Sequence, residues 1–513
     1  MKLAKIIDNT RCIGCHACST ACKSENDVAL GVDRTRVKYV EAGTFPNVRR
    51  HFQVTRCNQC EHPPCVYICP VTAMYQRPDG LVEFDQEVCI GCRACIAACP
   101  YDAIYIDPET HSAAKCHFCA HRVELGLQPA CVVVCPEEAI IVGDLDDPTS
   151  VVSKRIARES VQVRKPELGT SPKLFYIGGS HATLRPEAAA RPDGGLFMWS
   201  SQRPDETVGR GAGNAASTLL AYDVGHEIPW GVDVSLYLWT KSIAAGAILV
   251  PALGILFGHF GASSIASVWA PLIAIAFLAI TSLLLVVDLE HPKKFYTILT
   301  RPQWKSWLVR GAFILMGFGA VATLWLAPAV LGGGVLPARF LAWLSILAIP
   351  LAGAAAAYTA YLFAQATGRE LWATPLAAPH LVVQALLAGS GILLMLAAAL
   401  NAPATSVATV RDVDWLRLVF VLSLAGHALL TAAEVFSPHR SSHVARAVET
   451  IVKGKYMTEF WGGAILIGVF GALLVTFASG AAIAWALAAA LALFGLYVWE
   501  YIWVYAGQSV PLS

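Results

Sequence analysis

The chain has 513 residues and a formal net charge of +1; 56 % of its residues are hydrophobic and 15 % are charged. This composition is more apolar than that of ordinary soluble domains, and the near-zero charge, without a basic patch interleaved with aromatic residues, argues against nucleic acid as a partner. The length predicts at least two domains.

The first element of the chain is a cysteine-rich region. All sixteen cysteines lie before residue 136, in four groups with the bacterial ferredoxin spacing C-x2-C-x2-C-x3-C or a stretched form of it, and three groups are followed by proline. Because four thiolates hold one [4Fe–4S] cube, the groups predict four clusters and an electron-transfer domain with a ferredoxin-like α+β fold. The groups are Cys12, Cys15, Cys18 and Cys22; Cys57, Cys60, Cys65 and Cys69; Cys89, Cys92, Cys95 and Cys99; and Cys116, Cys119, Cys131 and Cys135.

Two other uses of cysteine fit this pattern less well. Disulfides are typical of small secreted scaffolds, whereas residues 1–5 run into the first motif without an apolar signal segment. Zinc also takes four cysteines per site, but a short third gap followed by x3-C-P is not zinc-ribbon spacing.

Between the cysteines and the apolar half lies a stretch that contains proline, glycine and serine, including residues 166–169 and 212–215. We interpret it as an extension of the cluster domain followed by a linker. Residues 173–178 predict a strand or a docking element. The predicted domains are therefore 1–150, 151–231 and 232–513.

Eight apolar runs after residue 232 exceed the roughly 20 residues that a helix needs to cross a bilayer. The predicted spans are about 234–258, 266–288, 307–331, 340–364, 378–400, 415–436, 460–478 and 481–505. One such run could be a buried helix of a soluble protein, but eight in succession predict an all-α transmembrane bundle.

Basic residues in the short loops predict the orientation. With eight spans, the side that carries the cysteine domain receives ten lysines and arginines: Lys293, Lys294, Arg301, Lys305, Arg310, Arg369, Arg440, Arg446, Lys453 and Lys455. The opposite side receives three: Arg339, Arg411 and Arg417. Because cationic loops stay in the cytoplasm, we expect a multi-pass protein of the inner membrane with its cysteine domain in the cytoplasm.

Charges inside a membrane are costly and therefore functional candidates. Lys241 lies two turns into the first span, His427 and Glu434 share one face of the sixth, and Asp288 and Glu290 end the second. Together they predict a proton route. Snorkelling of Lys241 and solvation of the carboxylates at helix ends remain open as simpler explanations.

The histidines argue against haem in the membrane. Intramembrane haem b needs two facing histidines, and only His427 lies well inside a predicted span, while His259, His291 and His380 lie at ends or in loops. We therefore expect no haem. A transporter would show duplicated, broken helices, and no clear duplication is visible in this sequence.

The cysteine pattern resembles the four-cluster subunits of molybdenum oxidoreductases of the dimethyl sulfoxide and polysulfide reductase type. The resemblance implies nested ligand sets, in which the fourth cysteine of each group crosses to a partner group. The implied sets are Cys12, Cys15, Cys18 and Cys135; Cys116, Cys119, Cys131 and Cys22; Cys57, Cys60, Cys65 and Cys99; and Cys89, Cys92, Cys95 and Cys69.

The apolar half resembles the NrfD-like membrane subunits of the polysulfide reductase type, at residues 233–247, 288–295 and 506–513. The resemblance implies a haem-free anchor that exchanges electrons with quinone, here fused to the cluster protein. It places the quinone pocket near the first and fourth spans, on the cluster side. The matching residues are Tyr237, Tyr358, Tyr361 and nearby Asp233, although interfacial tyrosines also form aromatic belts.

These observations predict the electron-transfer and anchor subunit of a molybdenum or tungsten oxidoreductase. Because no nucleophile–base pair, phosphate loop or molybdopterin-binding region is visible, we expect the substrate site on a separate large subunit. Four clusters would carry electrons between that subunit and membrane quinone. Two alternatives stay open: a hydrogenase or heterodisulfide-type partner, and a proton-translocating quinol-oxidising module.

Overall fold

The computed structural model describes residues 2–44, 46–190, 218–226, 228–332, 335–400 and 408–513. The predicted linker motif at residues 212–215 lies outside the described residues. The described residues form two regions of different kinds. A small α/β region holds the cysteines, and a bundle of long apolar helices follows it, as the sequence predicts.

Short strands and helices build the cysteine region. The strands are β1 (Leu3–Asp8), β2 (Thr35–Thr44), β3 (Asn47–Arg56), β4 (Met74–Gln76), β5 (Val82–Phe84), β6 (Ile104–Ile106), β7 (Ala113–Lys115), β8 (Ile140–Asp144), β9 (Val161–Gln162), β10 (Leu174–Ile177) and β11 (Thr218–Tyr222). The helices are α1 (Ala17–Glu25), α2 (Pro64–Ile68), α3 (Ala94–Ala98), α4 (Ala120–Val123), α5 (Ala130–Val133), α6 (Val151–Arg158) and α7 (His181–Leu184).

The strands form two larger sheets and two hairpins. One sheet has the order β8-β1-β10-β9, in which β1 is antiparallel to β8 and parallel to β10. The second has the order β11-β2-β3, and β4-β5 and β6-β7 are the hairpins. The strand predicted within residues 173–178 is therefore confirmed as β10. Because β10 pairs with β1, the polypeptide after residue 150 continues the sheet of the cluster domain.

Eight helices in the described residues are long and apolar enough to cross a membrane, which confirms the predicted number. Numbered in chain order, the spans are α8 (Val232–Leu256); Ile265–Val287, which ends in α9 (Ala270–Val287); α11 (Trp307–Leu331); α12 (Ala338–Gln365); α13 (Ala377–Leu400); α14 (Val410–Phe436); Glu459–Ala478, which ends in α16 (Ala472–Ala478); and α17 (Ala482–Ser509). Two short helices lie in the connections, α10 (Thr297–Thr300) and α15 (Ser442–Val452).

The first span is the centre of the bundle. Of the residues in the most apolar stretch of this span, 83 % are buried inside the protein, compared with 22 % in the corresponding stretch of the second span. Glycines permit the close packing: a Cβ on Gly246 would lie 1.8 Å from the carbonyl oxygen of Ala385 on the fifth span, and one on Gly389 would lie 2.1 Å from the Gly246 carbonyl carbon. Small residues are typical of helix contacts inside membranes, where close backbone approach replaces the hydrophobic effect.

The cysteine region is seated on one end of the bundle. Ser306 Oγ donates to Ile68 O at 2.7 Å, and Thr367 Oγ1 donates to Ala98 O at 2.9 Å. At the start of the first span, Trp230 Nε1 donates to Cys92 O at 3.3 Å. The loops that precede the third span and follow the fourth therefore hold the loops of the second and third cysteine groups directly.

The end of the chain adds a second attachment. Arg164 Nη2 donates to the carbonyl oxygen of Leu512 at 2.7 Å, and Arg36 Nη2 donates to Ser513 Oγ at 2.7 Å. Residues that follow the eighth span are thus buried against the cysteine region. The segments before the first span and after the last are therefore both attached to it.

Candidate functional site

The cysteine groups fold back on one another in pairs. One cavity is lined by Cys12, Cys15 and Cys18 of the first group together with Cys135 of the fourth. A second cavity is lined by Cys69 of the second group together with Cys89, Cys92 and Cys95 of the third. In both cavities, the fourth thiol is the one that the resemblance implies.

The remaining cysteines gather in the same way. Burial and the neighbouring thiols of Cys57, Cys65 and Cys99 raise the pKa of Cys60 well above its usual value. Asn26 Nδ2 lies 3.7 Å from Cys22 Sγ and 3.9 Å from Cys119 Sγ, which brings the first and fourth groups together a second time. Burial and the neighbouring thiol of Cys116 raise the pKa of Cys22.

A repeated backbone turn shapes the first and third groups. Gly14 and Gly91 both have φ of 71°, and the residues that follow the second cysteine, His16 and Arg93, have φ of 60° and 57°. These are left-handed conformations that glycine adopts without strain and other residues adopt at a cost. The turn curls the backbone so that successive thiols of a motif point to a common centre.

Backbone amides also approach the sulfurs. Met74 N donates to Cys69 Sγ at 3.4 Å, Ala113 N to Cys89 Sγ at 3.4 Å, and Ala139 N to Cys135 Sγ at 3.2 Å. Donors that point at sulfur favour its anionic form. This is the kind of hydrogen bond that tunes an iron–sulfur site.

The arrangement suits clusters better than single ions. All sixteen cysteines are free thiols. In the part of the chain that the structure describes, no group of three or more His, Cys, Asp or Glu side chains lies close enough to hold one metal ion. Since a larger inorganic core can be held by thiols that are further apart, four facing thiols with amide donors fit a [4Fe–4S] cube.

A large cavity lies inside the membrane bundle next to the third cysteine group. Its volume is about 390 Å³ and its lining is mainly apolar, with side chains of the first four spans. Tyr237, Tyr358 and Asp288 supply polar groups to its wall, and Cys92 reaches it from the cluster domain. Such a space, apolar with a few convergent polar groups, is typical of sites for small organic cofactors.

The cavity has a side that faces the lipid. Three of its lining residues, Phe295, Leu299 and Met316, are also exposed on the outer surface of the bundle. The opening lies where the second and third spans meet the loop between them. A long apolar tail could therefore lie in the membrane while its head group is inside.

The predicted quinone residues separate into two sets. Tyr237 and Tyr358 face the cavity. Tyr361 does not line it; its side chain is 46 % exposed and stacks on Trp307 with 4.5 Å between the ring centroids. Asp233 lies close enough to Asp288 to raise the pKa of that carboxyl, without lining the cavity itself.

Asp288 and Glu290 face the cluster domain. Arg93 Nη1 lies 3.8 Å from Asp288 Oδ1, and the same guanidinium is hydrogen-bonded to Glu290. Burial raises the pKa of Asp288 to about 6 in spite of this cation. Glu290 also pairs with His111 at 3.3 Å. The two carboxylates therefore join the end of the second span to the third cysteine group.

A second polar cluster joins the fifth and sixth spans. His380 Nδ1 and Glu434 Oε2 are 2.9 Å apart, and His380 Nε2 and His427 Nδ1 are 2.8 Å apart. Glu434 and His427 thus contact the same residue, as their spacing on one helix face predicts. A small cavity is lined by His380, Glu434, Gln384 and Glu500.

Lys241 lies between this cluster and the large cavity. Its Nζ donates to Ala356 O at 2.8 Å and to Thr359 Oγ1 at 2.5 Å, and it lies 5.1 Å from the centroid of the Tyr358 ring. The lysine is fully buried, so it does not snorkel to the membrane surface.

Sequence reasoning missed several residues of these sites. Glu500 is a carboxylate inside the last predicted span, so the rule that intramembrane charges mark functional sites would have found it. His380 and Gln384 gave a weaker signal, because they lie at the start of a span and only tertiary packing brings them to His427 and Glu500. Ser282 and Trp230, which also line the large cavity, gave no signal.

Comparison with known families matches the two regions separately. Residues 48–145 match a 4Fe-4S dicluster domain, and residues 223–511 match the family described as polysulphide reductase, NrfD.

Three curated relatives of the cysteine region are named as components of reductases. The protein is 40 % identical over 254 residues to a putative dimethyl sulfoxide reductase iron-sulfur subunit of Halobacterium salinarum, covering 44 % of this chain and 95 % of that protein. It is 44 % identical over 189 residues to a tetrathionate reductase subunit of Salmonella typhimurium, covering 36 % and 76 %. It is 44 % identical over 179 residues to a polysulfide reductase chain of Wolinella succinogenes, covering 34 % and 94 %.

Proposed function

This protein belongs to the polysulphide reductase NrfD family and joins to it a 4Fe-4S dicluster domain, and on that basis we propose that it carries electrons between a separate catalytic subunit and quinone in the membrane. The fusion makes it both the iron–sulfur electron-transfer protein and the membrane anchor of a reductase-type complex. The quinone, the number of clusters and the chemistry of the partner are the parts that we propose.

One observation carries the proposal. Cys92 of the third cysteine group lines the same cavity as Tyr237 and Asp288 of the membrane bundle. An electron that leaves the proposed cluster at Cys92 therefore needs to cross only the wall of that cavity. No other element of the described structure has to move for the two sites to meet.

The sixteen cysteines hold the clusters in the four nested sets that the resemblance implies. Four [4Fe–4S] clusters, when bound, supply four successive one-electron sites. The protein gives these sites an order. The set with Cys92 lies at the membrane. The set with Cys65 is next to it, because Cys65 and Cys69 adjoin one another. The set with Cys116 follows, because Lys115 acts on Cys65 and donates to Cys116 O at 3.2 Å. The set with Cys12 and Cys15 is then outermost.

The residues of the large cavity bind and orient the quinone head group. Tyr237 and Tyr358 are hydroxyl donors suited to its carbonyl oxygens, and the apolar lining accommodates the ring. Asp288 is the carboxyl that holds a proton beside them. Its raised pKa of about 6 is close to neutral pH, at which such a carboxyl can both accept and release a proton. Lys241 Nζ lies 5.1 Å from the centroid of the Tyr358 ring, and its charge stabilises the position of that ring.

The outermost cysteine set is accessible to a partner. Cys15 is exposed, and the neighbouring Ile13 is 54 % exposed, so a proposed cluster ligand and an apolar side chain lie together on the surface. The relatives are named as single subunits or chains of reductases, which supports a separate catalytic subunit. We propose that this partner is a large molybdopterin protein with molybdenum or tungsten. A hydrogenase or heterodisulfide-type subunit is the alternative that the same electron path would serve.

We place the protein in the inner, cytoplasmic membrane with its cluster domain in the cytoplasm. The support is the distribution of loop lysines and arginines, ten on the cluster side and three on the other.

Purification from native membranes in mild detergent tests the proposal. We expect about sixteen irons per chain, from four cubes of four irons, a co-purifying large subunit with molybdenum or tungsten, and bleaching of the cluster absorbance when quinol is added. Nickel in the partner would favour the hydrogenase alternative. Fully loaded clusters that quinol cannot reduce, in a complex that is otherwise active, would contradict the quinone site.

A second candidate function is proton transfer coupled to the quinone reaction. It is favoured by polar side chains that lie beyond the large cavity in the bundle: Lys241 contacts the Tyr358 ring, Glu500 and His380 line one small cavity, and His380 contacts His427 and Glu434. This set contains three of the five residues of the predicted proton route. Asp288 and Glu290 lie at the other end of the cavity, beside the cluster domain.

A further inference from the structure

A buried arginine lies between two of the proposed cluster sites. Arg56 is the last residue of β3, and only 1 % of it is exposed. Its Nη1 donates to Cys131 Sγ at 2.9 Å. Its Nε and Nη2 have no hydrogen-bond partner among the described residues. A guanidinium stays charged in proteins, so a positive charge is enclosed here without a carboxylate hydrogen-bonded to it.

The charges that face Arg56 are thiols from two different sets. Cys131, which Arg56 contacts, lies in one buried cluster with Cys18 and with Val54 of the same strand as Arg56, and Cys131, Cys18 and Cys116 are the thiols that act most strongly on the guanidinium. Cys18 belongs to the outermost set, whereas Cys116 and Cys131 belong to the set next to it. The arginine therefore occupies the junction between the two outer sites.

The contact between Arg56 Nη1 and Cys131 Sγ is direct, and the guanidinium has no other hydrogen-bond partner among the described residues. A buried charge is costly unless it is paired, and here the anionic sulfur sites are the pair. The presence of Arg56 is thus explained by the negative charge that the two sites carry.

The site next to the membrane has a different environment. The groups that act most strongly on Cys92 and Cys95 are burial and other thiols, and for Cys92 they include the carboxylate of Asp288. The basic side chain that lines this site, Arg93, is paired with the carboxylates of Asp288 and Glu290, whereas Arg56 Nε and Nη2 have no partner among the described residues. The two ends of the path therefore differ in whether the cation next to the thiols is neutralised by carboxylates.

We propose, on the basis of the cluster sites of the proposed function, that Arg56 raises the reduction potentials of the two outer clusters and so favours electrons at the end of the path that is remote from the membrane. The step concerned is the gain of one electron, supplied by quinol or by the catalytic subunit; no bond to Arg56 forms or breaks. The guanidinium stabilises the additional negative charge on either neighbouring site. In the buried environment this attraction is weakly screened.

Lys5 gives an independent comparison. It is buried on β1, its Nζ lies 4.1 Å from the centroid of the Phe118 ring, and it has no hydrogen-bond partner for Nζ among the described residues. Lys5 acts on Cys116 and Cys131 but is not among the main influences on Cys12 or Cys18. The charge of Lys5 therefore acts mainly on one outer site, whereas the charge of Arg56 acts on both.

The test is a redox titration of the complete purified complex, followed by electron paramagnetic resonance. In Arg56→Gln we expect two of the cluster transitions to move to lower potential, with about a tenfold loss in the equilibrium constant for reduction, which is 59 mV for one electron. Arg56→Lys keeps the charge and should stay near the wild-type values. Lys5→Gln should move one transition only.

Arg49→Gln is the matched control, because Arg49 lies on the same strand but is exposed. It should leave all potentials unchanged. Unchanged potentials in Arg56→Gln with all clusters loaded would overturn the inference while leaving the proposed function intact. A wild-type complex without the clusters would instead contradict the proposed function. If Arg56→Gln fails to bind iron, Arg56→Lys and Lys5→Gln decide: two transitions shifted to lower potential in Arg56→Lys, or no shifted transition in Lys5→Gln, would overturn the role of the charge.

Discussion

Tyr237 and Tyr358 are the two phenols that face the cavity next to Cys92, and Asp288 is its carboxylate. Tyr361 is close to Tyr358 in sequence, but its side chain does not face this cavity. A step of three residues turns a helix by about 300°, which moves the side chain of Tyr361 off the face of the fourth span that meets the first. It stacks on Trp307 at the surface instead.

We predict that Tyr237→Phe slows quinol-driven cluster reduction by about tenfold or more. Loss of one hydrogen bond to the bound head group costs roughly 0.5–1.5 kcal/mol, and misorientation of the head group adds to the effect. Stopped-flow bleaching of the cluster absorbance measures it. Tyr361→Phe removes the same atom outside the cavity and is the control.

The iron content should be that of the wild type in both variants, since neither tyrosine touches a cysteine set. If Tyr361→Phe were as slow as Tyr237→Phe, the effect could not be assigned to the cavity. Wild-type kinetics in Tyr237→Phe would remove that hydroxyl from the quinone site.

Among the helices, close backbone contacts fix the geometry of the bundle. Gly246 on the first span and Gly389 on the fifth let the two backbones touch. The first span carries both Tyr237 and Lys241, so its position relative to its neighbours sets the shape of the cavity and the reach of the polar cluster. Small residues at this contact thus set the positions of Tyr237 and Lys241 as well as the packing of the bundle.

We expect Gly246→Ala to destabilise the protein by about 1–3 kcal/mol, the usual cost of overpacking, because the new Cβ would meet the carbonyl oxygen of Ala385 at 1.8 Å. Gly353→Ala on the fourth span is the control, because a Cβ there meets nothing within 4 Å. Thermal unfolding in detergent measures both.

The control substitution should leave Tm unchanged or raise it slightly, since alanine favours a helix more than glycine does. If Gly246→Ala and the wild type had an equal Tm, the first and fifth spans could separate without cost. That result would contradict the stabilising role of their close packing.

Over the full length of the protein, one polypeptide contains both the cysteine region, in which Cys15 is exposed, and the large cavity of the membrane bundle. The cluster domain is held at both ends of the membrane domain, through Trp230 before the first span and through Leu512 and Ser513 after the last. Fusion and these contacts fix the third cysteine group against the cavity. Electron transfer between them then does not depend on the association of two proteins.

The polar cluster of the fifth and sixth spans makes a prediction about the intact protein in a membrane. In proteoliposomes, Glu500→Gln should abolish proton movement that accompanies quinol oxidation, while cluster reduction by quinol continues at a rate within a few-fold of the wild type. A side chain that cannot ionise breaks the route without touching the large cavity, whose lining does not include Glu500.

A pH-sensitive dye inside the vesicles measures the proton movement. Glu459→Gln is the control, because Glu459 is exposed at the start of the seventh span. Loss of both activities together in Glu500→Gln, or of neither, would exclude coupled proton transfer through this residue.

Features that depend on local patterns could be predicted from the amino-acid sequence. Cysteine spacing predicts iron–sulfur sites because the loop around a cube needs thiols at short, fixed intervals. Hydropathy predicts eight spans because each apolar run must match the thickness of a bilayer. The fusion of a 4Fe-4S domain with an NrfD-type anchor follows from the two patterns on one polypeptide, and the family comparison confirms it.

Which distant residues meet could be read only from the folded protein. Nothing near Arg56 in the sequence reveals that its side chain lies between the first and fourth cysteine groups. His380 reaches His427 only because the fifth and sixth spans pack together. Cys92 adjoins the wall of the large cavity for the same reason. Contacts of this kind depend on how entire helices and strands pack, and a step of three residues along one helix is enough to separate Tyr358 from Tyr361.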